Sequence, residues 1–105
     1  LVAAFAGACA GINVGDIAID RAGKAYAITL PPAGADSTLH VLTLATASCG
    51  TSLGAIGRRC NALTFAPNPA DATKDVLYAA CTSGFYRVDL TNAATTGIPS
   101  TAAYE

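Results

Sequence analysis

The chain has 105 residues, with six Lys and Arg against seven Asp and Glu for a net charge of −1, and 52% of its residues are hydrophobic, 24 of them alanine. Leu, Ile, Val and Phe together number only 23, so core-building side chains are scarce, and no apolar run approaches the ~18 to 20 residues of a membrane-spanning helix. The balanced charge offers no basic field for nucleic acid and no polyacidic tail.

Read in chain order, the first expected strand covers about 16 to 20, a tight turn follows at Arg21-Ala22-Gly23-Lys24, and a second strand covers about 25 to 29. The Pro/Gly-rich loop from Pro31 to Ser37 leads to a third strand at about 38 to 45, and a short fourth lies near Ser52 to Ile56. Further strands are expected at about 61 to 66, 75 to 81, 84 to 90 and 95 to 99. Period-two alternation recurs throughout, and no stretch carries apolar residues at helical spacing.

The chain also resembles itself. At a shift of 46, Leu39 to Ala47 lies over Phe85 to Ala93 with apolar positions 39, 42, 44 and 47 on 85, 88, 90 and 93, and Ile17-Ala18-Ile19 lies over Leu63-Thr64-Phe65. Ala25-Tyr26-Ala27 matches Leu77-Tyr78-Ala79 at a shift of 52, the difference being a longer turn in the second copy. Two copies of one four-stranded antiparallel meander account for this.

Cys9, Cys49, Cys60 and Cys81 include no C-x-x-C pair, so zinc, thioredoxin and haem spacings are missing and disulfides are favoured. That implies an oxidising location: secreted, periplasmic or cell surface. Closing the turn from Pro67 to Lys74 symmetrically sets Leu63 opposite Tyr78, Phe65 opposite Val76 and Cys60 opposite Cys81. Facing residues bring Cβ atoms to roughly 4.5 to 5.5 Å, within adjustment of the ~3.8 Å of a disulfide, so a Cys60 to Cys81 bridge is expected; the alternative is two free thiols packed as small hydrophobes. Cys9 and Cys49 then pair by elimination.

Ser83-Gly84-Phe85-Tyr86-Arg87-Val88-Asp89-Leu90-Thr91-Asn92-Ala93-Ala94-Thr95 resembles the third strand and following turn of bacterial exported β-propeller repeats. Asn61 to Asn68 followed by Val76 to Ala80 resembles the first two strands of the same repeat. The likeness spans about 15 to 99; the first copy departs at Thr43, where the second has Asp89, and neither copy has the Trp-Asp or Gly-His pair of WD repeats. The resemblance implies an all-β chain of two propeller-type blades, 15–57 and 58–100, flanked by an N-terminal segment 1–14 and a tail 101–105. Residues 1 to 14 would supply the last strand of a preceding blade. Two blades leave apolar faces uncovered, which implies further blades of the same chain or association of copies into an oligomeric propeller, as in small two-blade lectins. Absence of Met means that residue 1 is not an initiator, so the chain reads as processed or as a segment. A rival reading of Leu1 to Cys9 is the end of a bacterial lipoprotein signal, with Cys9 acylated.

Catalytic, cofactor-binding and metal-binding residues find no candidate set. His40 is the only histidine and occupies the repeat position of Tyr86, and no nucleophile elbow, phosphate loop or H-E-x-x-H occurs. Asp16, Asp20, Asp36, Asp71, Asp75 and Asp89 are dispersed; turn chemistry fits them better than a calcium loop, with Asp20 capping its turn and Asp89 serving Asn92 or pairing with Arg87. Arg58 and Arg59, in the linker, and Tyr86 are the candidate partner contacts. The expected function is a non-enzymatic exported scaffold or binding module without cofactors, taking a protein or glycan partner. The alternatives are a lectin-like module closing by oligomerisation and a segment of a propeller enzyme whose catalytic residues lie elsewhere.

Overall fold

The computed structural model describes residues 5–31, 35–82 and 84–98. It is all-β, with no helix among the described residues. The strands are β1 (Ala6–Gly7), β2 (Val14–Ile19), β3 (Ala25–Thr29), β4 (Thr38–Thr43), β5 (Ser48–Ala55), β6 (Cys60–Asn68), β7 (Asp71–Cys81), β8 (Gly84–Val88) and β9 (Thr95–Gly97). They form a five-stranded sheet, β1-β5-β4-β3-β2, and a four-stranded sheet, β6-β7-β8-β9, antiparallel except where β1 runs parallel to β5. The expected strand at 95–99 ends outside the described residues, as does the tail at 101–105.

The two meanders share their pairing. In the first sheet Ile17 faces Ala27, Ala18 faces Tyr26 and Ile19 faces Ala25; in the second, Leu63 faces Ala79, Thr64 faces Tyr78 and Phe65 faces Leu77. The next strands continue in step, with Ala25, Tyr26, Ala27 and Ile28 on Leu42, Val41, His40 and Leu39, and Leu77, Tyr78, Ala79 and Ala80 on Val88, Arg87, Tyr86 and Phe85. Both first hairpins also carry a bulge at the same place, between Val14 and Asp16 and between Cys60 and Ala62. Two alanines with positive φ, Ala47 at 50° and Ala93 at 62°, stand at matching turn positions, and so do Gly11 and Gly57.

That bulge corrects one expected register. Leu63 faces Ala79 rather than Tyr78, and Phe65 faces Leu77 rather than Val76, while Cys60 does face Cys81. The extra residue, Asn61, slips the ladder by one between the cysteines and the rest of the hairpin. The expected loop from 67 to 74 is also mostly strand: β6 and β7 are joined by Pro69-Ala70 alone, and Ala72 to Lys74 are accommodated by an irregularity beside Asp71, which accepts bonds from the Thr73 N–H and hydroxyl. Likewise β5 starts at Ser48, four residues before its expected position.

The core lies between the sheets. Ala18, Tyr26, Ile28 and Leu39 of the first sheet pack on Leu63, Leu77, Ala79 and Val88 of the second, and the Tyr26 and Phe65 rings meet at 5.6 Å. Alanine serves here because narrow side chains let β2 and β3 approach β6. Gly15 shows the approach, since a Cβ there would lie 3.5 Å from the Asn61 Cα. Gly54 allows a similar approach at the end of β5: its φ is 155°, and a Cβ would collide with the Asn92 carbonyl oxygen. Gly54→Ala is therefore expected to destabilise the chain by about 1 to 3 kcal/mol, measured by urea unfolding, and an unchanged midpoint would contradict this approach.

On the other side of the first sheet, residues 5 to 12 form an arch. Cys9 and Phe5 cover Ala25, Ala27, Leu42 and Cys49 there, and the arch is tied down by Ala6 N–H to the Ala47 carbonyl and Ala8 N–H to the Cys49 carbonyl. Within this chain β1 is thus an edge strand of the first sheet, rather than part of a separate preceding sheet.

Candidate functional site

Cys9 is bonded to Cys49 and Cys60 to Cys81. The first bridge locks the arch to β5, leaving no Cys9 thiol for acylation; the second closes the mouth of the β6–β7 hairpin. Each lies within one sheet, so the junction between sheets is held by packing and polar ties.

Several such ties occur among the described residues. The Asp16 carboxylate accepts from the Leu63 N–H at 2.9 Å as well as from the Ile17 N–H, reaching from β2 to β6. Arg21 binds Asp75 through its side chain and its backbone N–H, and the Arg59 guanidinium donates to the Pro31 carbonyl at 2.9 Å. Ser37, wholly buried, donates to the Cys60 carbonyl and accepts from the Cys60 N–H. Nothing in the Pro/Gly-rich loop marks Ser37 beforehand; its role arises because β6 starts directly beneath it. Ser37→Ala leaves both groups of a buried backbone unit without that partner and is expected to cost about 1 to 3 kcal/mol in denaturant unfolding, whereas Asp36→Ala, one residue away and exposed, should be near neutral.

His40 is 3% exposed and fully engaged. Its Nδ1 meets the Gly50 carbonyl and its Nε2 the Thr38 hydroxyl, each at 2.8 Å, and Thr38 continues to Thr29. Because a carbonyl only accepts, Nδ1 carries the donated proton. The ring fills a cross-strand site opposite Ala27, with Nε2 accepting from the Thr38 hydroxyl.

Among the candidate contact residues, Arg58 and Tyr86 are brought together, the guanidinium carbon lying 3.9 Å from the ring centroid, while Arg59 turns toward Pro31. Both arginines are half-buried. The aspartates divide. Asp20 accepts from the Ala22 and Lys24 N–H groups, and Asp71 and Asp89 accept from Thr73 and Thr91, so these three shape turns; Asp89 does so through Thr91, not through Asn92 or Arg87. Asp16 and Asp75 join the sheets instead.

The Thr73 hydroxyl and N–H hold the Asp71 carboxyl below the ordinary carboxylate range, Thr91 does the same for Asp89, and the Arg21 guanidinium and N–H do so for Asp75. A lowered folded value means that the stabilisation is complete above the unfolded value of ~3.9 and disappears as pH falls through the folded one. Carboxyl NMR shifts should therefore show these three titrating below Asp in the unfolded chain, and Asp75→Asn should flatten part of the acid limb of stability. The effect is small because Arg21 is half exposed.

A cleft of about 400 Å³ opens at the hairpin end of the second sheet, with Asn68, Lys74, Asp75, Arg87, Asp89 and Thr96 among its lining. Its mixed donors and acceptors suit hydrogen bonding to a polar ligand. Beside it, Ala62, Thr64, Tyr78, Ala80 and Phe85 line an apolar groove of about 200 Å³. No group of three or more metal-ligating side chains occurs among the described residues. No helix among them is long and apolar enough to cross a membrane. No protein-family model, curated protein or solved structure matches the chain.

Proposed function

We propose that the chain is a pair of propeller-type blades from an exported protein, acting as a non-enzymatic scaffold or binding module through the loops and turns that join its strands. The observation that carries this is the common register of the two meanders, bulge included, combined with their polar stacking. The face of the first sheet bearing Tyr26 and Leu39 covers the face of the second bearing Leu63 and Leu77, whose counterparts Ile17 and Ala25 lie on the opposite face of the first sheet. Stacking like face on unlike face is how repeats add in series, each unit contacting its neighbours. Two disulfides fit an extracellular setting. The turns 20–24, 44–47, 69–70 and 89–94 join successive strands, and loops on a rigid scaffold commonly carry recognition.

The test is NMR of the oxidised chain. Cross-strand contacts Ala18 to Tyr26 and Thr64 to Tyr78 should appear together, with slipped contacts flanking Gly15 and Asn61; a different register in the second hairpin would end the blade reading.

A further inference from the structure

In the cleft at the hairpin end of the second sheet, the carboxylates have partners within the chain and the cations have no ionic ones. Asp75 is committed to Arg21 through both oxygens, and Asp89 receives the Thr91 hydroxyl at 2.6 Å and its N–H at 2.8 Å on Oδ1. Lys74 and Arg87 are exposed, and neither has an ion pair among the described residues. Arg87 faces Thr96 across β8 and β9, which sets a hydroxyl beside the guanidinium stem on one side of the sheet. Asn68 uses Oδ1 to accept from the Ala70 N–H at 2.9 Å, so its amide N–H groups remain as donors. With Asp75 neutralised by Arg21, the charges lining the cleft are Lys74, Arg87 and Asp89, a surplus of one positive charge.

We propose that this cleft binds a carboxylated sugar, the uronic-acid unit of an acidic glycan, with Arg87 and Lys74 taking the carboxylate and Asn68, Thr96 and the second oxygen of Asp89 taking hydroxyls. A guanidinium presents a planar fork that matches a carboxylate, and a lysine adds a mobile point charge. A singly charged ligand balances the surplus in the cleft. A neutral sugar leaves both cations without a counter-charge, and a multiply charged sulfated or phosphorylated group brings excess negative charge against Asp89. Hydroxyls are needed as well as charge, because Asp89 can only accept and therefore requires a donor from the ligand. Leu90 and Ala94 add apolar surface for the C–H face of a ring, and about 400 Å³ lies within the ~300 to 1,000 Å³ of small-ligand sites. The inference rests on the binding-module reading above, to which it adds a ligand class.

The test is an amide NMR titration of the oxidised chain with sodium glucuronate, set beside glucose, which has the hydroxyls without the charge, and acetate, which has the charge without the hydroxyls. Glucuronate should give saturating shifts at Lys74, Arg87, Asp89 and Thr96, and bind at least about tenfold more tightly than either control. Arg87→Gln and Lys74→Gln remove one cation each from exposed positions and should each weaken glucuronate binding at least about fivefold. Lys24→Gln, an exposed cation outside the cleft, should leave it unchanged, with circular dichroism confirming the fold of all three variants. Added salt should weaken binding of glucuronate, since the contact is ionic and open to solvent. Absence of saturating shifts overturns the proposal, as does glucose or acetate binding as tightly as glucuronate, or full affinity in Arg87→Gln. Glucose 6-phosphate binding more tightly than glucuronate would also overturn it, because the site would then prefer higher charge. If the hairpin register holds while glucuronate fails to bind, only the ligand class falls; if the register fails, the blade reading falls and the titration still decides the cleft.

Discussion

Leu39→Ala is expected to lower stability by about 2 to 5 kcal/mol, while Phe85→Ala, at the corresponding position of the other sheet, should cost less than about 1 kcal/mol. Both side chains leave the third strand of a meander on the same relative face, opposite Ile28 in one case and Ala80 in the other. They differ in what lies above them. Leu39 is wholly buried beneath the second sheet, so truncation removes its transfer free energy and leaves a cavity bounded by Ile28 and its neighbours. Phe85 is 39% exposed, and solvent can occupy part of the space that it vacates. Against a total stability of about 5 to 15 kcal/mol for such a domain, the first loss brings the chain close to its threshold. The measurement is urea unfolding at a concentration low enough for the chain to be monomeric. Equal costs at the two sites would mean that the sheets do not cover one another as described.

The same comparison shows what the amino-acid order makes visible and what it hides. Alternation around Tyr26 and around Phe85 to Val88 marks strands, and the shift of 46 between Ile17 and Leu63 relates them, because side-chain period and strand order are local properties. Which face meets which is not local. Alanine blurs the question further: Ala18 is buried against the second sheet and Ala25 and Ala27 beneath the arch, so neither face of the first sheet stands out as polar. The register error at Leu63 has a similar origin, since one bulged residue at Asn61 leaves no composition signal yet moves every pair beyond it. Ser37 and Asp16 were illegible as ties because their partners are backbone groups of Cys60 and Leu63, far along the chain. The arch was hidden too, as β1 is a two-residue parallel contact without alternation.

Cys60→Ala/Cys81→Ala is expected to cost about 3 kcal/mol, and Cys9→Ala/Cys49→Ala roughly half a kcal/mol more, because an unfolded chain loses more freedom when a longer loop is closed. The spans closed are 21 and 40 residues. Double variants are used so that no single thiol is left to exchange. The shorter bridge joins neighbouring strands whose ladder persists without it, with Leu63 to Ala66 still paired to Val76 through Ala79. The longer bridge holds an arch that otherwise has few backbone bonds, so its loss releases cover from Ala25, Ala27 and Leu42 as well as freeing the denatured chain. Denaturant midpoints of the two double variants test the order. Hydrogen exchange separates the mechanisms: amides of Ala6 and Ala8 should lose protection in Cys9→Ala/Cys49→Ala before global unfolding, whereas Cys60→Ala/Cys81→Ala should leave them unchanged.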